Sequence, residues 1–66
     1  MNEKDALQKI GFDRWVNQHG TIMYRNGDYE FWIYTNHVIH YVGWDMSPQM
    51  AIALGEVIKC LESDKK

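Results

Sequence analysis

The side chains best suited to chemistry are few, and their spacing argues against most reactions. His37 and His40 stand three apart in "HVIH". That spacing puts two imidazoles on one face of a helix but on opposite faces of a strand. The β-rich residues around them favour a strand, so the pair does not chelate one ion. His19 and Cys60 would complete a ligand set only by tertiary coincidence, and neither a metal nor another cofactor is expected. A nucleophilic cysteine needs an exposed, electropositive setting. Cys60 borders an apolar helical stripe with Glu56 one turn back, and it is read as a small apolar side chain. Asp28, Glu30 and Asp45 are the carboxylates nearest the predicted strands. Paired-carboxylate catalysis needs a cleft that drives two pKa values apart, and a small sheet under one main helix offers little cleft. Asp28 belongs to a turn, Asp45 precedes a helix, and Glu30 is read as a rim acid. There is no glycine-rich phosphate loop, and no enzymatic activity is expected.

Length and charge narrow the classes further. With 66 residues the chain is one domain, residues 1–66. A domain of this size buries only about 60% of its unfolded surface. Small scaffolds therefore lean on disulfides, metals or oligomerisation. The single cysteine forbids an internal disulfide and suits a reducing compartment. The charged start "MNEKDALQKI" has no signal-peptide core, and no run approaches the roughly 18 apolar residues of a membrane span. A cytoplasmic protein without membrane contact is expected. The net charge of −2 is unlike that of duplex-binding proteins, whose affinity comes from neutralising phosphates.

The elements that must position these residues follow from periodicity and turn chemistry. Residues 1–16 are read as a helical or irregular segment. Within it a helix runs from Asn2, as cap, to Ile10, and Gly11 ends it. In "FDRWVNQHG", Phe12, Trp15 and Val16 have helical spacing while "RWV" could also begin a strand, and the stretch is read as an irregular or helical connection whose apolar residues cover one end of the sheet. A β-meander is expected over residues 20–44. Asn26-Gly27 favours a type I′ hairpin that pairs Arg25 with Asp28, Tyr24 with Tyr29 and Met23 with Glu30. A second two-residue turn, at Thr35-Asn36 or Asn36-His37, would put Ile39 and Tyr41 on the face of Trp32 and Tyr34. A three-residue turn would exchange the faces of the third strand. Ser47-Pro48 starts a helix over residues 47–62, with Met50, Leu54, Val57, Ile58 and Leu61 as its apolar stripe. The expected class is α+β: a three-stranded antiparallel β-meander with a C-terminal helix packed on one face and a short N-terminal helix, α-β-β-β-α.

One helix covers only one face of such a sheet. The face of Ile22, Tyr24, Phe31, Ile33 and Val42 is the richer in aliphatic residues and is assigned to it. Trp32, Tyr34, Tyr41, Met23 and Ile39 then face outward, with Arg25 and Glu30 at the rim. Large exposed apolar patches mark binding sites on small proteins. Either the segment from Ile10 to Val16 folds back over this face, or another molecule docks there. The expected function is a small protein-interaction module that self-associates or binds a larger protein. Size and charge suit an inhibitor or adaptor, such as a phage protein acting on host machinery by steric occlusion. The alternative is a single-stranded nucleic-acid binder that stacks bases on the same rings. Double-stranded RNA-binding domains share the α-β-β-β-α order, but "SPQMAIALGEVIKCLE" lacks the lysine cluster at the helix start that contacts phosphate, so that family is not assigned.

Overall fold

The structure, a computed structural model, describes residues 4–63. The chain runs α1 (Ala6–Lys9), β1 (Asp13–Val16), β2 (Ile22–Asn26), β3 (Tyr29–Ile33), β4 (Ile39–Val42) and α2 (Pro48–Ser63). The four strands form one antiparallel sheet in the order β1-β2-β3-β4. The class is α+β with a C-terminal helix, but the sheet has four strands where three were expected. The additional strand is the stretch read as a connection. Asp13, Arg14, Trp15 and Val16 pair with Arg25, Tyr24, Met23 and Ile22.

Three turns set the register. In the β1–β2 turn, Asn17 N–H donates to Thr21 O and Gly20 N–H donates to Asn17 O. Gly20 sits at φ 87, a left-handed conformation that glycine adopts without a Cβ penalty. The β3–β4 turn repeats this geometry, with Tyr34 N–H to Val38 O and His37 N–H to Tyr34 O. There His37 takes the left-handed position at φ 68. This is the three-residue hairpin, a tight turn followed by one left-handed residue. It replaces the expected two-residue turn. The β2–β3 turn is centred one residue later than expected. Asn26 pairs with Tyr29, and the two loop residues are Gly27 and Asp28. Arg25 therefore lies opposite Glu30 rather than Asp28. A shift of this kind keeps every face, since the sum of paired positions stays odd.

The core lies between the sheet and the helices. Tyr24, Phe31 and Ile33 meet Met50, Ala53 and Val57 of α2, with Leu7 and Phe12 closing one end. Phe31 meets the Phe12 ring at a tilt, 5.4 Å between centroids, and stacks on Tyr41 at 5.1 Å. α2 starts where Ser47 Oγ accepts the Met50 N–H at 3.2 Å, the cap expected before Pro48. α1 is capped by Asp5, whose Oδ1 accepts the Gln8 N–H while Gln8 Oε1 accepts the Asp5 N–H. This reciprocal box satisfies two of the orphan donors at the helix start. The cap expected at Asn2 lies outside the described residues.

Asp5 also ties α1 to the sheet. Its Oδ2 accepts the Tyr24 hydroxyl proton at 2.6 Å, and Arg14 Nε donates to the same hydroxyl at 3.2 Å. Arg14 Nε lies 3.5 Å from Asp5 Oδ2. Burial, and then the hydrogen bond to Asp5, push the Tyr24 hydroxyl well above the ordinary tyrosine range.

Candidate functional site

Alternation along the strands divides the sheet into two faces. The face turned from α2 carries Asp13 and Trp15 on β1, Met23 and Arg25 on β2, Glu30 and Trp32 on β3, and His40 and Val42 on β4. Register places these in two rows across the sheet. Trp15, Met23, Trp32 and His40 are successive cross-strand neighbours, and so are Asp13, Arg25, Glu30 and Val42. Strands sit about 4.8 Å apart, so each row spans about 14 Å.

Three polar side chains at the centre of this face, Trp32, Glu30 and Arg25, are linked to one another. Trp32 Nε1–H donates to Glu30 Oε1 at 3.1 Å. Glu30 Oε2 lies 3.7 Å from Arg25 Nε. Trp32 meets Tyr34 edge-on at 6.5 Å and His40 at 5.6 Å between ring centroids. An indole held in this way loses little conformational freedom when something lies against it, and its N–H needs no new partner. Trp15 at one end of the row is 45% exposed, while Met23 and Trp32 are half-buried by their neighbours.

Of the residues expected on the open face, the structure gathers Trp32, Tyr34, Met23, Arg25 and Glu30. Ile39 and Tyr41 are corrections. They pack against the core on the helix side, beside Ile33 and Phe31. The cause is the odd loop length, which inverts every side chain of β4. His40 and Val42 take the outward places. A cue to this was present in "IHYV". Burying Ile39 and Tyr41 leaves the imidazole in water, whereas the reverse buries it at a desolvation cost.

Residues 10–16 do not cover the open face. Phe12 is buried in the core, and Asp13–Val16 lengthen the sheet instead. Trp15 thus joins the site, although it was placed in the connection. The signal that could have found it is the glycine-containing loop "NQHG" between two β-rich runs, which marks a hairpin. Asn17 Oδ1 closes that loop by accepting the N–H groups of His19 and Thr21.

Other candidates hold less. A cavity of about 240 Å³ is lined by Asp5, Gln8, Arg14, Tyr24 and Cys60. Its central polar atoms are bonded to one another, which makes it a cross-tie between α1 and the sheet. Cys60 is a free, exposed thiol. Among the described residues no three His, Cys, Asp or Glu side chains gather to hold a metal ion. No helix of the described residues is long and apolar enough to cross a membrane.

No protein-family model, curated protein or solved structure matches the chain.

Proposed function

We propose that the chain is a protein-interaction module that docks a segment of a larger protein on the open sheet face. The row of Trp15, Met23 and Trp32, uncovered among the described residues and tied to the neighbouring row by the Trp32 N–H bond to Glu30, carries this reading. Tryptophan anchors with few rotatable bonds dominate binding energy at interfaces, and methionine adapts to irregular partners. The partner's chemistry follows from the neighbouring row. Asp13 and Glu30 outnumber Arg25, so the complement is an apolar segment carrying a basic group. Two carboxylates beside the rings also disfavour a phosphate backbone. The module has no catalytic step of its own. It acts inside the cell by occluding a partner surface, as an inhibitor or adaptor does.

Selection from a random-peptide display library, followed by titration of the selected peptides, tests this. The expected peptides combine large apolar residues with lysine or arginine. Their affinity falls at least tenfold, about 1.4 kcal/mol, in Trp15→Ala or Trp32→Ala chains that remain folded by circular dichroism. Peptides indifferent to both substitutions would overturn the reading. Titration with labelled oligothymidylate supplies the other arm. Binding that weakens steeply with salt would make single-stranded nucleic acid the ligand instead.

A further inference from the structure

The two edges of the sheet are unequal. Hydrogen-bonded pairs alternate along an antiparallel ladder. The bonded pair Tyr34–Val38 therefore directs the main-chain groups of His40 and Val42 toward β3, and those of Ile39 and Tyr41 outward. On the opposite edge, the bonded pair Asn17–Thr21 leaves Arg14 and Val16 facing out. Exposed strand edges invite pairing with another chain, and proteins blunt them with charge, proline or cover. β1 carries Asp13 and Arg14. β4 reads Ile-His-Tyr-Val, without a carboxylate, lysine, arginine or proline. Both edges expose apolar side chains, Trp15 at 45% and Val16 at 50% on β1, so charge is what separates them, and on the β4 side the apolar residues flank an uncharged strand. Val38 is 54% and Val42 43% exposed, and Trp44 just beyond the strand is 71% exposed.

We infer that β4 pairs antiparallel with β4 of a second copy of this chain. An antiparallel edge is self-complementary about a two-fold axis, so one open edge is sufficient for a closed dimer. The register that pairs both outward residues of each copy places the axis at His40. Ile39 of each copy exchanges main-chain hydrogen bonds with Tyr41 of the other, and His40 faces His40 on the axis. Val42 of each copy then lies opposite Val38 of the other, so the two exposed valines bury each other.

The edge dimer does not rest on the docking reading, but it extends it. Pairing at β4 aligns the row Trp15, Met23, Trp32, His40 with its symmetry mate. Eight strands at about 4.8 Å give one continuous surface about 34 Å across. Its tryptophans lie on both sides of the axis, so it presents two equivalent docking places.

Analytical ultracentrifugation across a concentration series, with amide hydrogen exchange, tests the inference. The native chain is expected to dimerise reversibly. Ile39 and Tyr41 amides gain protection as concentration rises, while Arg14 and Val16 amides do not. Two double variants read the register. Val38→Lys/Val42→Lys sets like charges opposite one another across the axis and is expected to be monomeric. Val38→Glu/Val42→Lys sets opposite charges there and is expected to dimerise. In both, the lysine at 42 lies opposite Glu30 of its own chain, and circular dichroism checks that each remains folded. A native chain that is monomeric at millimolar concentration overturns the inference. So does a dimer insensitive to the sign of the charge at 38, or one lost in Trp15→Ala instead. If the chain is monomeric while Trp32→Ala still abolishes peptide binding, the dimer falls and the docking face stands.

Discussion

The two faces of one sheet are built from alternate residues of the same strands, yet they are held by different physics. On the helix side, Tyr24, Phe31 and Ile33 are buried against Met50, Ala53 and Val57, and shape complementarity decides stability. On the open side, Trp15, Met23, Trp32 and His40 are cross-strand neighbours, and Trp32 is held by its N–H bond to Glu30, which pairs with Arg25, and by edge-on contacts with Tyr34 and His40. In a domain this small, one face is committed to folding, and the other can change at little cost to the fold. The open face is therefore the one free to carry function.

Substitutions can break or sharpen this contrast. Phe31 is fully buried between Phe12 and Tyr41. Phe31→Ala should cost about 3–5 kcal/mol, enough to unfold much of a domain this size, as urea denaturation would report. The contrast fails if Trp32→Ala costs as much. Next comes Gly43, which follows β4 at φ 147. A Cβ there would stand 2.7 Å from the Tyr29 ring. Gly43→Ala should destabilise by about 1–3 kcal/mol in thermal melts, because the backbone is strained and the ring is held in the Tyr29–Tyr41 stack.

Tyr24→Phe should cost about 1–2 kcal/mol, since it removes the hydroxyl that Asp5 and Arg14 both bond and leaves only their direct pair at the cross-tie. The sign of its pH dependence is set. The folded hydroxyl titrates above its ordinary value of 10.0, so its contribution is complete below that pH and is lost as pH rises past it. Urea midpoints measured from neutral to strongly alkaline pH should fall less steeply in Tyr24→Phe. An equal slope would show that the hydroxyl carries no linkage.

Gly55 on the solvent side of α2 has no atom within 4 Å of a built Cβ. Gly55→Ala should therefore stabilise the chain by about 1 kcal/mol through helix propensity. A loss of stability would mean that the helix needs close approach at that point. The smallest effect is expected at Trp15. It ends the open row beside Met23, and Trp15→Ala should change stability by about 0.2–1 kcal/mol while weakening peptide binding tenfold. Stability and binding that fall together would merge the two faces into one core.

Much of the fold was legible in local chemistry. Ser47-Pro48 set the start of α2, and its apolar spacing placed Met50 and Val57 in the core. The alternation of "YEFWI" assigned Phe31 and Ile33 to one face and Glu30 and Trp32 to the other. These signals are local because caps and periodicity act within a few residues. The site was legible only in part. Trp32, Tyr34, Met23, Arg25 and Glu30 were assigned to the right face, while Ile39 and Tyr41 were misplaced and Trp15 was missed. The first error traces to the three-residue β3–β4 loop, and the second to reading Asp13–Val16 as a connection instead of a strand. A single residue of loop length inverts a strand, and His37 gives no strong cue that it adopts φ 68.

The sequence by itself determined the helix boundaries at the C-terminal end, the β-rich middle and the face of each residue within β2 and β3. Tertiary structure decided the rest. Whether "DRWV" lies on the open face or lengthens the sheet depends on Phe12, which must reach the core while Arg14 reaches Tyr24 and Asp5. Those contacts are distant in sequence. Their geometry exists only once α1, β1 and β2 have met, and that meeting leaves Trp15 and Trp32 in one open row with Met23 between them.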